Sequence, residues 1–180
     1  MSKVLPAKGF RDFTPALKRR KEELLATIRA CYLRYGFDEI ETLAKAFPKD
    51  ESVAIYHALS VAARGDYAAA DEILKPFAAA NPGGDAALEA GLLQLGVGRR
   101  TEGRQTLTLV LAADIRNPSA RDYLRAARAS RALHRIDDAD SYFKDAIRLA
   151  PADVVLNTEW GDFFVENHAN GEAAKSYQEA

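Results

Sequence analysis

Residues 120–151 read ARDYLRAARASRALHRIDDADSYFKDAIRLAP. The stretch holds two helical halves divided at His134-Arg135-Ile136, and it closes on Pro151. Its first half carries a small residue, Ala127; its second carries Ala139 followed four residues later by Phe143. The same signals recur outward in both directions. Prolines fall at Pro48, Pro82, Pro118 and Pro151, spaced 34, 36 and 33 residues apart. Small–large pairs keep the same time at Ala70/Leu74, Gly103/Leu107, Ala139/Phe143 and Ala173/Tyr177, and lone small residues do so at Ala58, Gly91, Ala127 and Gly161. Three registers with a period of about 34 residues mark a helix–turn–helix array.

Physical chemistry explains the punctuation. The turns within units carry Gly65-Asp66, Gly98-Arg99-Arg100, His134-Arg135-Ile136 and Asn170-Gly171. Between units, proline lacks the amide donor and clashes with the preceding turn, so it ends a helix. Asp66, Asp85 and Ser119 are the expected caps of the helices that follow them. Small residues at the recurring positions let two antiparallel helices approach closely. The large residues fill the space toward the next unit, so stacking supplies the core that no unit has alone. From Gly103 to Pro118 is fifteen residues, against twelve for Ala70 to Pro82 and for Ala139 to Pro151. The three extra residues are expected in the second helix of that unit. Locally Thr106–Leu111 alternates like a strand, but the repeat register predicts helix.

These residues resemble the tetratricopeptide repeat (TPR) family over residues 43–180. The third unit carries the likeness best, with Ala127, Ala139, Phe143, Ala146 and Pro151; the fourth follows with Trp160-Gly161, Phe164, Ala173, Tyr177 and Ala180. The first two units depart from the family pattern at Val61, Gln94 and Gly103. The resemblance implies an all-α solenoid with units at about 51–83, 84–119, 120–153 and 154–180, the last lacking its closing proline.

The first 42 residues do not share the rhythm. Gly9, Arg11, Asp12 and Pro15 precede an amphipathic stretch from about 15 to 35, on which Leu17, Leu24, Ile28, Cys31 and Tyr35 recur at helical spacing. Tyr35-Gly36-Phe37 and Ile40 follow. This order resembles the N-terminus of bacterial histidyl-tRNA synthetase, which implies the opening of a catalytic domain without its reactive groups. The match stops at Thr42, and nothing later resembles the second or third class II motif or a histidine-binding segment. Residues 1–42 are therefore expected to be an extended stretch plus one extra helix, and synthetase activity is not expected. Asp38 to Phe47 is predicted to form one helix ending at Pro48. The helix over 15–35 is expected to cover apolar surface on residues 51–64.

Composition narrows the function. The formal charge is −1, which gives no general attraction to nucleic acid or to a membrane surface. No apolar run approaches the roughly 20 residues of a membrane helix, and no signal peptide is visible, so a cytoplasmic protein is expected. Cys31 is the single cysteine, which excludes an internal disulfide. His57, His134 and His168 lie one per unit without metal-ligand spacing. Gly91, Gly96, Gly98 and Gly103 superficially suggest a phosphate loop, but they fall on packing and turn positions of the repeat. No catalytic residue, cofactor or metal is expected.

One charged feature stands out. Arg121, Arg125, Arg128, Arg131 and Arg135 recur at helical steps and form one stripe. The TPR likeness places this helix on the concave side of the solenoid. Two readings compete there: a binding site for an acidic segment, or a solvated face paired with Asp122, Asp137, Asp138 and Asp140, which carries the greater weight. Chaperone-tail clamps of the family also need polar residues where this chain has Ile55, Leu59 and Leu92, so that clamp is incomplete. The expected groove comprises Ile55, Leu59, Leu88, Leu92, Leu95, Leu124, Arg121, Arg125, Arg128 and Arg131. The function expected is a non-catalytic protein–protein interaction scaffold that binds a peptide or helix in that groove. The alternatives are a fragment of a larger enzyme with a TPR section, and a synthetase N-terminal fragment fused to a TPR protein.

Overall fold

The computed structural model describes residues 38–113 and 116–180, which contain nine α-helices and no strand. The chain divides into two compact units, Met1–Ala46 and Phe47–Ala180. In the first, the described residues form helix α1 (Asp38–Ala46). It runs unbroken through Thr42-Leu43, as the predicted helix over 38–47 requires. The helix expected over 15–35, and its contact with residues 51–64, lie outside the described residues.

The second unit is four helical hairpins: α2 (Glu51–Ala63) with α3 (Tyr67–Ala80), α4 (Asp85–Gly96) with α5 (Arg100–Leu111), α6 (Ala120–Ala132) with α7 (Ile136–Leu149), and α8 (Val154–Glu166) with α9 (Asn170–Glu179). Each hairpin turn is built alike, and in the fourth hairpin Asn170-Gly171, expected in the turn, instead open α9. The residue two beyond the end of the first helix is left-handed: Gly65 (φ 93°), Gly98 (φ 85°), His134 (φ 58°) and His168 (φ 60°). The following amide donates back to the carbonyl five residues earlier, in Asp66→Val61, Arg99→Gln94, Arg135→Ser130 and Ala169→Phe164. That six-to-one bond, with the five-to-two bond beside it, satisfies carbonyls that a helix end otherwise leaves open. Two histidines thus occupy turn positions that glycine fills in the first two units. A side chain in the left-handed region pays a steric penalty that glycine avoids. His134→Gly and His168→Gly are each expected to raise stability by about 1 kcal/mol, seen as a higher urea midpoint; a lower midpoint in either contradicts the assignment.

Helix starts show both agreement and correction. Asp66 accepts the Ala69 amide at 3.1 Å, and Ser119 forms a reciprocal capping box with Asp122. Asp50 and Asp153 cap α2 and α8 in the same way. Asp85 does not cap. The cap residue of α4 is Gly84, which has no side chain to offer. Glu51 of the preceding hairpin instead reaches across, its Oε1 accepting the Ala86 amide at 3.0 Å. Asp85 is thereby left for a different role.

The core consists of three blocks along the array. Ala58, Val61, Ala70, Leu74, Ala86 and Ala90 form the first; Ala87, Leu88, Leu107, Val110 and Ala129 the second; Ala127, Ala139, Phe143 and Phe163 the third. Close approach of the paired helices is real. A Cβ on Gly91 would lie 2.7 Å from the Leu107 side chain, and one on Gly103 would lie 2.9 Å from the Gly91 carbonyl oxygen. A Cβ on Gly161 would meet the Tyr177 ring at 2.5 Å.

The second unit's irregularity sits elsewhere than its spacing suggests. α5 is helix, as the register predicts, but it has 12 residues where α3 and α7 have 14. The extra length lies in the connection 112–119, not in the helix. Thr106, Thr108 and Val110 supply the reason: β-branched side chains lose rotamer freedom against the preceding turn and weaken the helix end.

Candidate functional site

The first helices of the four hairpins, α2, α4, α6 and α8, line one groove of about 610 Å³. Ile55, Tyr56 and Leu59 come from α2, Leu88 from α4, Leu124 from α6, and Val155 and Leu156 from α8. On α2, Leu59 lies four residues from Ile55 and three from Tyr56, so the helix turns one apolar edge to the groove. Leu88 and Leu156 form a buried floor. Tyr56 and Val155, 65% and 59% exposed, stand open to solvent along the same groove, as does Leu59.

Charged residues form the remaining wall, and here the structure revises the sequence reading. Arg121, Arg125, Arg128 and Arg131 of α6 form an ion-pair ladder between neighbouring hairpins, whereas Arg135, expected on the same stripe, lies beyond α6 as the N-cap residue of α7. Arg125 Nε donates to Asp85 Oδ1 at 2.6 Å, and its Nη1 donates to Asp122 at 2.9 Å and to the Gly83 carbonyl at 3.2 Å. Arg121 meets the other oxygen of Asp85 at 2.6 Å. Arg128 donates to Glu89 at 2.8 Å and lies 3.6 Å from Glu159. Arg131 bonds Glu159 at 3.2 Å and Glu166 at 2.8 Å. Of the aspartates expected to pair with the stripe, Asp122 does so. Asp140 instead bonds Lys144 and the Trp160 indole. The main partners are Asp85 and Glu89 of α4 and Glu159 and Glu166 of α8. They flank α6 because the hairpins stack side by side.

The ladder shifts the ionisation of its members. The bond from Arg131 holds the Glu166 carboxyl below the usual range against the opposing effect of burial. Burial works against the charge on Arg125, but the bonds to Asp85 and then Asp122 outweigh it and raise its pKa. Burial likewise pushes Asp122 up, and the Ser119 and Arg125 bonds together carry it below its ordinary value.

Ile55, Leu59, Leu88, Arg121, Leu124, Arg125 and Arg128 line the groove. Leu92 and Leu95 do not: they pack against the core block of Ala87, Leu107 and Ala129. Leu95 is drawn there by the close approach of α4 and α5 at Gly103. Arg131 lies outside the lining, held by α8. Sequence reading missed Tyr56, Asp85, Glu89, Asp153, Val155 and Leu156. A wider helical stripe around Ile55 and Leu88 finds Tyr56 and Glu89. Asp85 was hidden by its resemblance to a cap. Among the described residues, no group of histidine, cysteine and carboxylate side chains is arranged to hold a metal ion. No helix there is long and apolar enough to cross a membrane.

No protein-family model matches the chain. Over 57 residues it is 47% identical to a histidine–tRNA ligase of Leifsonia xyli subsp. xyli; the match covers 32% of this chain and 12% of the ligase. MamA (residues 41 to the end) from Desulfovibrio magneticus RS-1 superposes with a TM-score of 0.45 at 20% identity, over 88% of this chain and 92% of that one. A tetratricopeptide repeat protein from Parabacteroides merdae superposes with a TM-score of 0.54 at 17% identity, over 89% of this chain and 59% of that one. The repeat array therefore has the all-α fold of a tetratricopeptide repeat protein, and 57 residues of the chain are similar to a small part of a histidine–tRNA ligase, a length that cannot be confined to the first 42 residues, where the likeness was expected to stop.

Proposed function

We propose that this chain is a non-catalytic scaffold for protein–protein interaction, whose groove between α2, α4, α6 and α8 takes a peptide or helix of a partner. The observation that carries this reading is the set of exposed apolar side chains, Tyr56, Leu59 and Val155, bordering one continuous trough with a buried leucine floor. Solvent-exposed apolar surface framed by charge is what an amphipathic helix covers on docking. Nucleic acid is a poorer match. The groove arginines are already bonded to carboxylates, which leaves few free cations for phosphates. A cytoplasmic setting belongs to the same reading and rests on sequence alone.

The test uses synthetic amphipathic helices of about 15 residues, labelled and titrated against the intact chain. Leu59→Lys with Val155→Lys is expected to weaken binding at least about tenfold, with circular dichroism unchanged because both positions are exposed. Unchanged affinity in the double variant removes the groove from consideration. The histidine–tRNA ligase similarity favours a second reading, in which a synthetase N-terminal segment is joined to a repeat array. Both readings expect no aminoacylation.

A further inference from the structure

We infer that Arg121 is the groove's specificity residue, and that the partner segment presents a single internal carboxylate beside its apolar face. This rests on the groove reading above and adds the chemistry of the ligand. One arginine of the groove wall can turn to a ligand without stranding a carboxylate.

Arg128 cannot be released. Glu89 is largely buried, and Arg128 is the cation bonded to it. Arg125 cannot be released either: its side chain is only 12% exposed and it serves Asp85, Asp122 and the Gly83 carbonyl together. A buried carboxylate left without its cation is strongly unfavourable. Arg121 differs on each count. Its side chain is 70% exposed, and its partner, Asp85, stays satisfied by the Arg125 bond at 2.6 Å. Exposed ion pairs are weak because water screens them, so turning Arg121 away from Asp85 costs little. The lining it shares holds the apolar Ile55, Leu124 and Leu156 beside the polar Ser52, Asp85 and Asp153. A ligand carboxylate meeting Arg121 there forms a charge-assisted bond, which strengthens as the docked apolar face excludes water from it. Arg125 and Arg128 stay committed to their own carboxylates, so Arg121 is the groove arginine left for one ligand carboxylate.

The probe is a set of amphipathic helical peptides with identical apolar faces. In each, a single glutamate replaces glutamine at one position along the polar flank. At the matching position, the glutamate peptide is expected to bind the intact chain about tenfold more tightly than its glutamine twin. Arg121→Gln is expected to erase that difference, so that the glutamate and glutamine peptides bind with equal affinity, and Arg121→Lys to retain a glutamate preference. High salt should shrink the preference in the natural chain. If glutamate and glutamine peptides bind equally at every position, the Arg121 assignment is overturned and the groove reading stands. A glutamate preference that survives in Arg121→Gln overturns it as well. If no peptide binds, both proposals fall.

Discussion

Replacing Phe143 with alanine is expected to destabilise the repeat array by about 3–5 kcal/mol. The ring is fully buried in the third core block, between Ala127 and Ala139 of its own hairpin and Phe163 of the next. Its centroid lies 5.5 Å from that of Phe163, an aromatic contact in its own right. Small residues on the facing helices let the ring seat so closely, and they cannot expand to fill the cavity it would leave. Because stacked repeats are stabilised by nearest-neighbour interfaces, the loss reaches both α6–α7 and α8–α9. The single tryptophan, Trp160, reports on this joint: its indole N–H lies 3.3 Å from the Asp140 carboxylate of α7. Urea unfolding followed by Trp160 fluorescence and by far-ultraviolet dichroism measures the effect. Phe143→Leu, which keeps most of the volume, is expected to cost less than about 1.5 kcal/mol. If alanine costs no more than leucine, the joint does not depend on the ring.

Arg125→Met is expected to cost about 2–4 kcal/mol, while Arg121→Met costs less than about 1 kcal/mol. The two arginines lie one helical turn apart and share Asp85, yet their surroundings differ. Arg125 is buried and ties α6 to α4 through three acceptors. Its removal leaves the Gly83 carbonyl without that donor and Asp122 without its guanidinium. Methionine keeps the length of the stem, so the change isolates the charge and its bonds. Arg121 is largely exposed, and its pair with Asp85 is screened by solvent. Denaturant midpoints at low and high salt separate the cases. The Arg125 contribution should persist in salt because buried pairs are screened less, whereas any Arg121 contribution should disappear. A double-mutant cycle with Asp85→Asn should show coupling at Arg125. Equal losses at the two arginines, or no coupling, contradict a ladder in which Arg125 is structural.

Much of this architecture is local and could be read from the chain. The left-handed turn positions are legible as glycines in two units, and the register carries the third to His134; the fourth, at His168, lies two residues before the Asn170-Gly171 pair that marks a turn in the sequence. Gly91, Gly103 and Gly161 mark close helix approach because every unit keeps only glycine or alanine in those registers. The strand-like alternation of Thr106–Leu111 was overruled correctly by the repeat, yet the same β-branched residues shortened α5 and moved the extra length into the connection. The groove was legible in part. Its apolar edge recurs at helical spacing, so Ile55, Leu59, Leu88 and Leu124 were found, while Leu92 and Leu95 turned to the core because α4 packs so closely on α5.

The sequence by itself determined the helices, their turns and the small-residue contacts within each hairpin, because those interactions join residues close in the chain and repeat with its period. The tertiary structure alone decided what the arginine stripe does. Its principal partners, Asp85, Glu89, Glu159 and Glu166, lie 28 to 40 residues away from the arginines they bond along the sequence. Only the side-by-side stacking of α4, α6 and α8 brings them together. That stacking converts a row of apparently free cations into a neutralised ladder, and leaves Arg121 as the groove-lining member whose charge is still largely open to solvent.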